Sequence, residues 1–278
     1  MEELRELREN GSRADAGRTV RIGVDLLRKR SFALGSEQWS IREQVFVAAL
    51  DANELEVCAS TLKELKAQFP SSQRVGRLEG LLLEAQGKTK DAAAVYAKIL
   101  EENKGNMVAM KRKICLLKST GKLNEAIKQL TLYLDEFQAD AEGWAELARM
   151  YVEAGSIQNA CFCLEEILLS QPHSYLSFLA YAEALFTLGG SKETYFQARS
   201  YFAQSLIIKK TPYNLRAAWG LAVTTKGIDG ILDAPAEDVG VQHNKALNKR
   251  VLDEISNTTF APGMDEIVKA AARKFSVA

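Results

Sequence analysis

A small residue recurs every 34 positions through the middle of the chain, and this spacing constrains the fold more than any other feature. Cys58, Ala92, Ala126 and Ala160 follow one another at that interval. Pro70 and Pro172 are 102 residues apart, which is three of the same intervals. A small side chain where two helices cross lets their axes approach to about 8–10 Å. The spacing therefore predicts a row of similar helix pairs.

A 34-residue helix pair is the tetratricopeptide repeat, and the residues between the two prolines match its signature. The clearest repeat spans residues 141–174, with Trp144, Leu147, Ala148 and Tyr151 in signature positions. Residues 39–72, 73–106 and 107–140 keep the same register, and each turn AQGKTKD, STGKLNE or EAGSIQN contains a glycine that can end a helix. We therefore predict an all-α fold, a right-handed superhelix (α-solenoid) of tetratricopeptide pairs with helical caps at both ends.

A fifth pair, residues 175–214, departs from the period. Its small and aromatic residues, Ala198 and Phe202, come four residues late, and we place the insertion in the loop GGSKET. The array then covers residues 36–214. We expect an N-terminal capping helix within residues 1–35, and C-terminal capping helices over 215–278 with an acidic loop at 227–241.

Composition excludes several classes of function. Lysine plus arginine and aspartate plus glutamate number 36 each, so no global positive field attracts nucleic acid. The N-terminus is charged and no apolar stretch is long enough to cross a bilayer, which predicts a soluble protein facing the cytosol. The motifs GxxxxGK[ST], GxGxxG, HExxH and GxSxG are absent from the sequence. We therefore expect no catalytic residues, no cofactor and no enzymatic activity.

The cysteines do not form a metal-binding pattern. Cys161 and Cys163 are two residues apart, and on a helix that spacing points their side chains in different directions. His173 and His243 are the only histidines. We expect the cysteines to be small hydrophobic residues of the core and predict no metal site.

A protein-binding groove is the function that the repeat itself suggests, because the first helices of stacked pairs line a concave surface. Expected groove positions in the second and third repeats hold five basic residues, Arg74, Arg77, Lys111, Arg112 and Lys118. These form either a basic strip that attracts an acidic segment or simply a soluble surface. The fourth repeat offers acidic residues at the same positions, so the groove would change sign there: Glu142, Glu146 and Glu153.

Chaperone-binding tetratricopeptide domains provide an alternative, since they hold a C-terminal carboxylate with lysine, arginine and asparagine in the groove. Here the ninth positions of successive repeats are Leu81, Cys115 and Arg149, so the asparagines are missing. A free cytosolic adaptor or co-chaperone that reads peptide tails is therefore the second interpretation.

More specific segments point to one family. From about Trp39 to Leu221 the chain resembles the subunit 2 family of the endoplasmic reticulum membrane protein complex. The segments that carry the resemblance are RVGRLEGLLLEAQGKTKDAA, CFCLEEILLSQPHSYL, YAEALFTLGG with its insertion, YFAQSLIIK and LRAAWGL. Residues before this region and after Thr225 match it weakly.

The resemblance implies a role that periodicity does not reach. The complex inserts tail-anchored and some multi-pass proteins into the membrane of the endoplasmic reticulum. Members of this family act there as soluble scaffolds that hold cytosolic parts of the membrane-embedded subunits and dock a second soluble subunit. The resemblance thus implies a peripheral protein on the cytosolic face, whose partners are other subunits of the complex.

Overall fold

A computed structural model describes residues 2–10, 15–210, 214–231, 239–258 and 264–277 of the chain. These residues form two compact units, residues 1–122 and 123–278. Throughout the described ranges the secondary structure is helical, with turns and no strand. Within those ranges, no helix combines the length and apolar character needed to cross a bilayer.

Unit 1 contains seven α-helices among its described residues, and each helix packs on the next along the chain. They are α1 (Glu2–Asn10), α2 (Ala16–Arg30), α3 (Glu37–Asp51), α4 (Leu55–Gln68), α5 (Gln73–Ala85), α6 (Thr89–Glu102) and α7 (Met107–Ser119). A short 3-10 helix, Ser31–Leu34, follows α2.

Unit 2 contributes a further eight α-helices within the residues that the structure describes, also packed in chain order. They are α8 (Leu123–Glu136), α9 (Ala141–Glu153), α10 (Ile157–Ser170), α11 (Tyr175–Leu188), α12 (Lys192–Ile208), α13 (Leu215–Ile231), α14 (Val239–Asn257) and α15 (Met264–Val277).

The 34-residue register is confirmed by these bounds. Helices α5, α7, α9 and α11 begin at residues 73, 107, 141 and 175, which are 34 apart. Cys58, Ala92, Ala126 and Ala160, the predicted crossing residues, are all 0% exposed, and so is Ala198 of the fifth pair. The predicted all-α tetratricopeptide solenoid is thus the observed fold class.

The turns within the pairs use a left-handed residue at one fixed position. Gly87, Gly121 and Gly155 have φ of 73°, 75° and 73°, and Asn53, one period earlier, has φ of 59°. Glycine carries no Cβ to clash there, and asparagine is among the residues that tolerate this conformation best. The predicted glycine C-caps are therefore where the helices α5, α7 and α9 end.

The insertion in the fifth pair lies in its helices and not in the loop where we expected it. Three residues separate α11 from α12, the same number that separates α9 from α10. Instead α11 has 14 residues where α9 has 13, and α12 begins six residues before its small residue where α10 begins three before. Ser191 supports the longer helix, because its hydroxyl accepts a hydrogen bond from the Thr194 backbone N–H.

The terminal segments differ in detail from the predicted caps. The N-terminal segment holds two helices instead of one: α1 is highly charged, but its Leu4 is 1% exposed and packs with Ile41 and Val45. In α2, Val20 is 3% exposed and packs in the core, whereas Val24 is 40% exposed. At the other end, residues 227–231 and 239–241 are helical where we expected the acidic loop, and residues 232–238 lie outside the described ranges.

Candidate protein-binding surfaces

The five predicted basic residues lie on two helices of unit 1. Arg74 and Arg77 are on α5, and the other three are on α7. Arg74 and Lys118 are exposed, whereas Arg77, Lys111 and Arg112 are half-buried. Their surroundings decide how much of this charge a ligand would meet.

Both arginines of α5 pair with one glutamate of α3. The Arg74 Nε donates to Glu43 Oε1 at 2.8 Å, and its Nη2 lies 2.7 Å from Glu43 Oε2. The Arg77 Nη2 lies 3.6 Å from the same carboxylate. The hydrogen bond and charge of Glu43 raise the pKa of Arg74. Glu43 therefore links the first helices of two neighbouring repeats and offsets much of their positive charge.

Arg112 belongs to a second cross-link, which joins α5, α6 and α7. Its Nε donates to Glu84 Oε1 at 3.1 Å, and its Nη2 donates to the other oxygen of that carboxylate. The Tyr96 hydroxyl donates to Glu84 Oε1 at 2.7 Å. Burial lowers the pKa of Arg112, but the hydrogen bond and charge of Glu84 outweigh it and raise that pKa overall. Burial and the bond to Glu84 also raise the pKa of Tyr96.

Sequence reasoning thus found the cations and missed their partners. Glu43 and Glu84 lie 31 and 28 residues before Arg74 and Arg112, which is just under one period. A residue one period away is a neighbour on the adjacent helix of the same type, so this spacing was a usable signal. In the structure, the three arginines form ion pairs that join neighbouring helices.

Unit 2 has a groove of different character, with a volume of about 740 Å³. It is lined by residues of α9, α10, α11 and α13, including five alanines: Ala141, Ala145, Ala148, Ala180 and Ala184. Val152 and Leu176 also line it, and they are 50% and 57% exposed. Small side chains let a partner backbone approach closely, and exposed aliphatic side chains gain stability when a partner covers them.

The charges around this groove are largely paired. Arg216 lies 2.6 Å from Glu183, and Arg149 lies 3.1 Å from Glu146 on its own helix. Of the acidic residues that we expected to change the sign of the groove, Glu142 lines it, Glu146 forms that pair, and Glu153 is exposed at the end of α9. The groove therefore offers apolar contact framed by ion pairs.

The prediction that the cysteines are core residues is confirmed for three of them and wrong for the fourth. Cys58, Cys161 and Cys163 are buried and Cys115 is exposed. Burial raises the pKa of Cys58 to about 11 and that of Cys163 to about 12, so both thiols stay protonated at neutral pH. Within the described ranges, no three His, Cys, Asp or Glu side chains converge in a way that would hold a metal ion.

Comparison with known proteins shows which family this chain resembles in sequence. Residues 60–206 match the model of the EMC2 TPR-like repeat domain. The ER membrane protein complex subunit 2-A of Xenopus laevis is 40% identical over 206 residues, covering 74% of this chain and 68% of that protein. The TPR repeat protein oca3 of Schizosaccharomyces pombe is 37% identical over 173 residues, covering 62% and 61%.

Solved structures support the fold alone. The C-terminal part of a TPR repeat-containing protein from Cytophaga hutchinsonii superposes with a TM-score of 0.61 at 13% identity, over 91% of this chain and 98% of that one.

Because the family model spans more than half of the chain and the Xenopus relative is similar over most of its own length, the chain belongs to the family of tetratricopeptide subunits known as subunit 2 of the ER membrane protein complex.

Proposed function

We propose that the chain is a non-catalytic scaffold on the cytosolic face of the endoplasmic reticulum membrane. Its partners are other subunits of the complex. It holds cytosolic segments of the membrane-embedded subunits, binds a second soluble subunit, and so supports insertion of tail-anchored and multi-pass membrane proteins. Family membership supports the assignment to the complex, and the open groove of unit 2 supports the holding role.

The groove of unit 2 is the observation that carries this proposal. A partner helix or extended segment that covers Val152 and Leu176 removes apolar surface from water, which contributes roughly 25 cal/mol for each Å². The alanines below allow its backbone to come close. We assign this groove to a cytosolic segment with an apolar face.

Charged substitutions in the groove test the assignment. The variant carrying Val152→Asp and Leu176→Asp should lose most of its co-purification with the membrane-embedded subunits from detergent-solubilised membranes, because two carboxylates would be desolvated in the complex. Leu169→Asp is the matched control, since Leu169 is 78% exposed on α10 and does not line the groove. Circular dichroism should show unchanged helix content in both variants. Equal recovery of partners with the two variants would remove the groove from the proposal.

The basic residues of unit 1 are a second proposed contact. Arg74, Arg77, Lys111, Arg112 and Lys118 would meet an acidic cytosolic segment, with part of their charge already offset by Glu43 and Glu84. Replacing Arg112 by glutamate would place two carboxylates together and disturb the fold, so Lys111→Glu with Lys118→Glu is the better test. We expect this variant to co-purify less with the membrane-embedded subunits, and added salt to reduce the recovery further. Lys98→Glu, on the exposed side of α6, is the control and should leave the recovery unchanged. Unchanged recovery would mean that these residues are only a soluble surface.

A cell fractionation experiment separates the scaffold from the free adaptor. The scaffold should sediment with membranes, and carbonate should release it unless partners bury it. A free adaptor or co-chaperone would stay in the supernatant, and that result would overturn the proposal as a whole.

A further inference from the structure

An amide and an aromatic ring hold Arg199 of α12 in position, and among the described residues no carboxylate pairs with it. It is half-buried, and its Nη1 donates to Asn244 Oδ1 of α14 at 2.9 Å. Its guanidinium carbon lies 4.9 Å from the centre of the Phe196 ring. An aromatic ring beneath the guanidinium and an amide at one end restrict the side chain strongly.

The amide that holds Arg199 is itself fixed. Asn244 is 0% exposed, and its Nδ2 donates to the Thr225 carbonyl of α13 at 2.6 Å. With its nitrogen engaged there, the amide directs its oxygen at Arg199. Three successive helices of unit 2 therefore determine where the guanidinium lies.

Other arginines with restricted exposure are treated differently. Arg42, Arg77 and Arg112 each pair with a glutamate. In the part of the chain that the structure describes, no carboxylate lies within 4.0 Å of Arg199, and burial lowers its pKa. A partly desolvated charge without a counter-ion opposes folding, so a carboxylate that reaches this guanidinium would relieve the cost.

We propose that Arg199 is the binding site for a carboxylate presented by another polypeptide. Asn244 uses one of the five N–H groups of the guanidinium, and the guanidinium carbon lies over the Phe196 ring. The remaining donors form a planar fork that matches the two oxygens of a carboxylate. Arg199 does not line the groove of unit 2, so this site is separate from the one proposed above.

Three short peptides test the site on the full-length chain. The first is capped at both ends and contains internal glutamates, the second has glutamines and a free C-terminal carboxylate, and the third is a capped glutamine peptide. Binding is followed through the Arg Nε–Hε signals in ¹H–¹⁵N spectra and through the change in Tm. The first two peptides distinguish a side-chain carboxylate from a chain terminus, and inorganic phosphate is a fourth probe.

We expect at least one carboxylate peptide to shift the Arg199 signal to saturation and to raise Tm, while the capped glutamine peptide does neither. Arg199→Gln should weaken binding about tenfold, as for loss of one charge-assisted pair, and Arg199→Lys should weaken it less. Arg5→Gln, at an exposed arginine of unit 1 that already lies 2.7 Å from Glu37, should leave binding unchanged.

The stability of Arg199→Gln without peptide separates binding from a structural role. Removal of an uncompensated charge should leave Tm unchanged or raise it. A lower Tm with unaltered peptide binding would make Arg199 a packing residue and overturn the site. The site would also be overturned if neither carboxylate peptide saturates the Arg199 signal, or if phosphate binds more tightly than both of these peptides. If Arg199→Gln does not fold, Arg199→Lys is used for the same measurements.

Discussion

The first helices of unit 1 and those of unit 2 fill the same repeat positions with different chemistry. In unit 1, Glu43 and Glu84 tie α3, α5 and α7 together through arginines. In unit 2, α9 and α11 face their groove with alanines and exposed aliphatic side chains. The helix crossing is the same in both, because a small residue occupies it each time. The repeat therefore fixes the backbone and leaves the exposed face free to carry ion-pair cross-links in one unit and an apolar groove in the other.

The largest effect should come from the crossing that the two units share. Ala92→Leu in unit 1 and Ala160→Leu in unit 2 should each lower the free energy of unfolding by about 2–3 kcal/mol, because a larger side chain must enter a fully packed site. Ala93→Leu is the control, one residue along α6 and exposed, with an expected change below about 0.5 kcal/mol. Urea denaturation followed by circular dichroism measures all three. A similar cost for Ala92→Leu and Ala93→Leu would contradict the shared crossing.

Neutralising one acid in each unit should give unequal results. Glu84→Gln leaves the half-buried Arg112 without its counter-ion and should lower the free energy of unfolding by about 2 kcal/mol. Glu183→Gln breaks a pair whose arginine is 73% exposed, and a pair of that kind contributes at most about 1 kcal/mol. Chemical denaturation at low salt compares them directly. Equal losses in the two variants would show that the Glu84 cross-link of unit 1 contributes no more to stability than the Glu183 ion pair beside the unit 2 groove.

A further expected effect is a decline in stability at alkaline pH that should differ between the units. The pKa of a buried thiol is raised from its ordinary 9.0 to about 11 for Cys58 in unit 1 and to about 12 for Cys163 in unit 2. Above pH 9 the unfolded chain releases these protons while the folded chain keeps them, so stability falls as pH rises. The loss is about 1 kcal/mol for each thiol by pH 10 and ends near each folded pKa.

Alanine variants assign that decline to a unit. Cys58→Ala should remove the part that ends near pH 11, and Cys163→Ala the part that extends to about 12. Cys115→Ala is the control, since that thiol is exposed. Denaturation at a series of pH values provides the measurement, and equal slopes for all three variants would show that the buried thiols do not govern this range.

The period and the crossing residues could be predicted from the sequence because each is a local rule repeated at a fixed interval. The insertion before Ala198 could be detected from the sequence, but not whether its residues belong to a loop or to a helix. The Ser191 cap starts α12 within GGSKET and places the added residues in the helix. Helix α13 continues to Ile231 through two glycines, since Ile228 is 2% exposed in the core and packing overrides their low helix propensity. The partner of Arg199 lies on another helix, 45 residues away, a separation that the 34-residue period does not indicate, so this contact needed a structure.

The extra turn of the fifth pair has a consequence for how a partner would meet this end of unit 2. Three added residues extend α12 by about 4.5 Å, and Tyr195, directly after them, packs edge-on against Phe186 at 5.6 Å between ring centres. A loop of the same length would sample many conformations and lose that freedom on contact. Because these residues are already ordered in a helix, a partner that binds them would lose only its own conformational entropy. Binding here would therefore cost less entropy than binding to a flexible insertion.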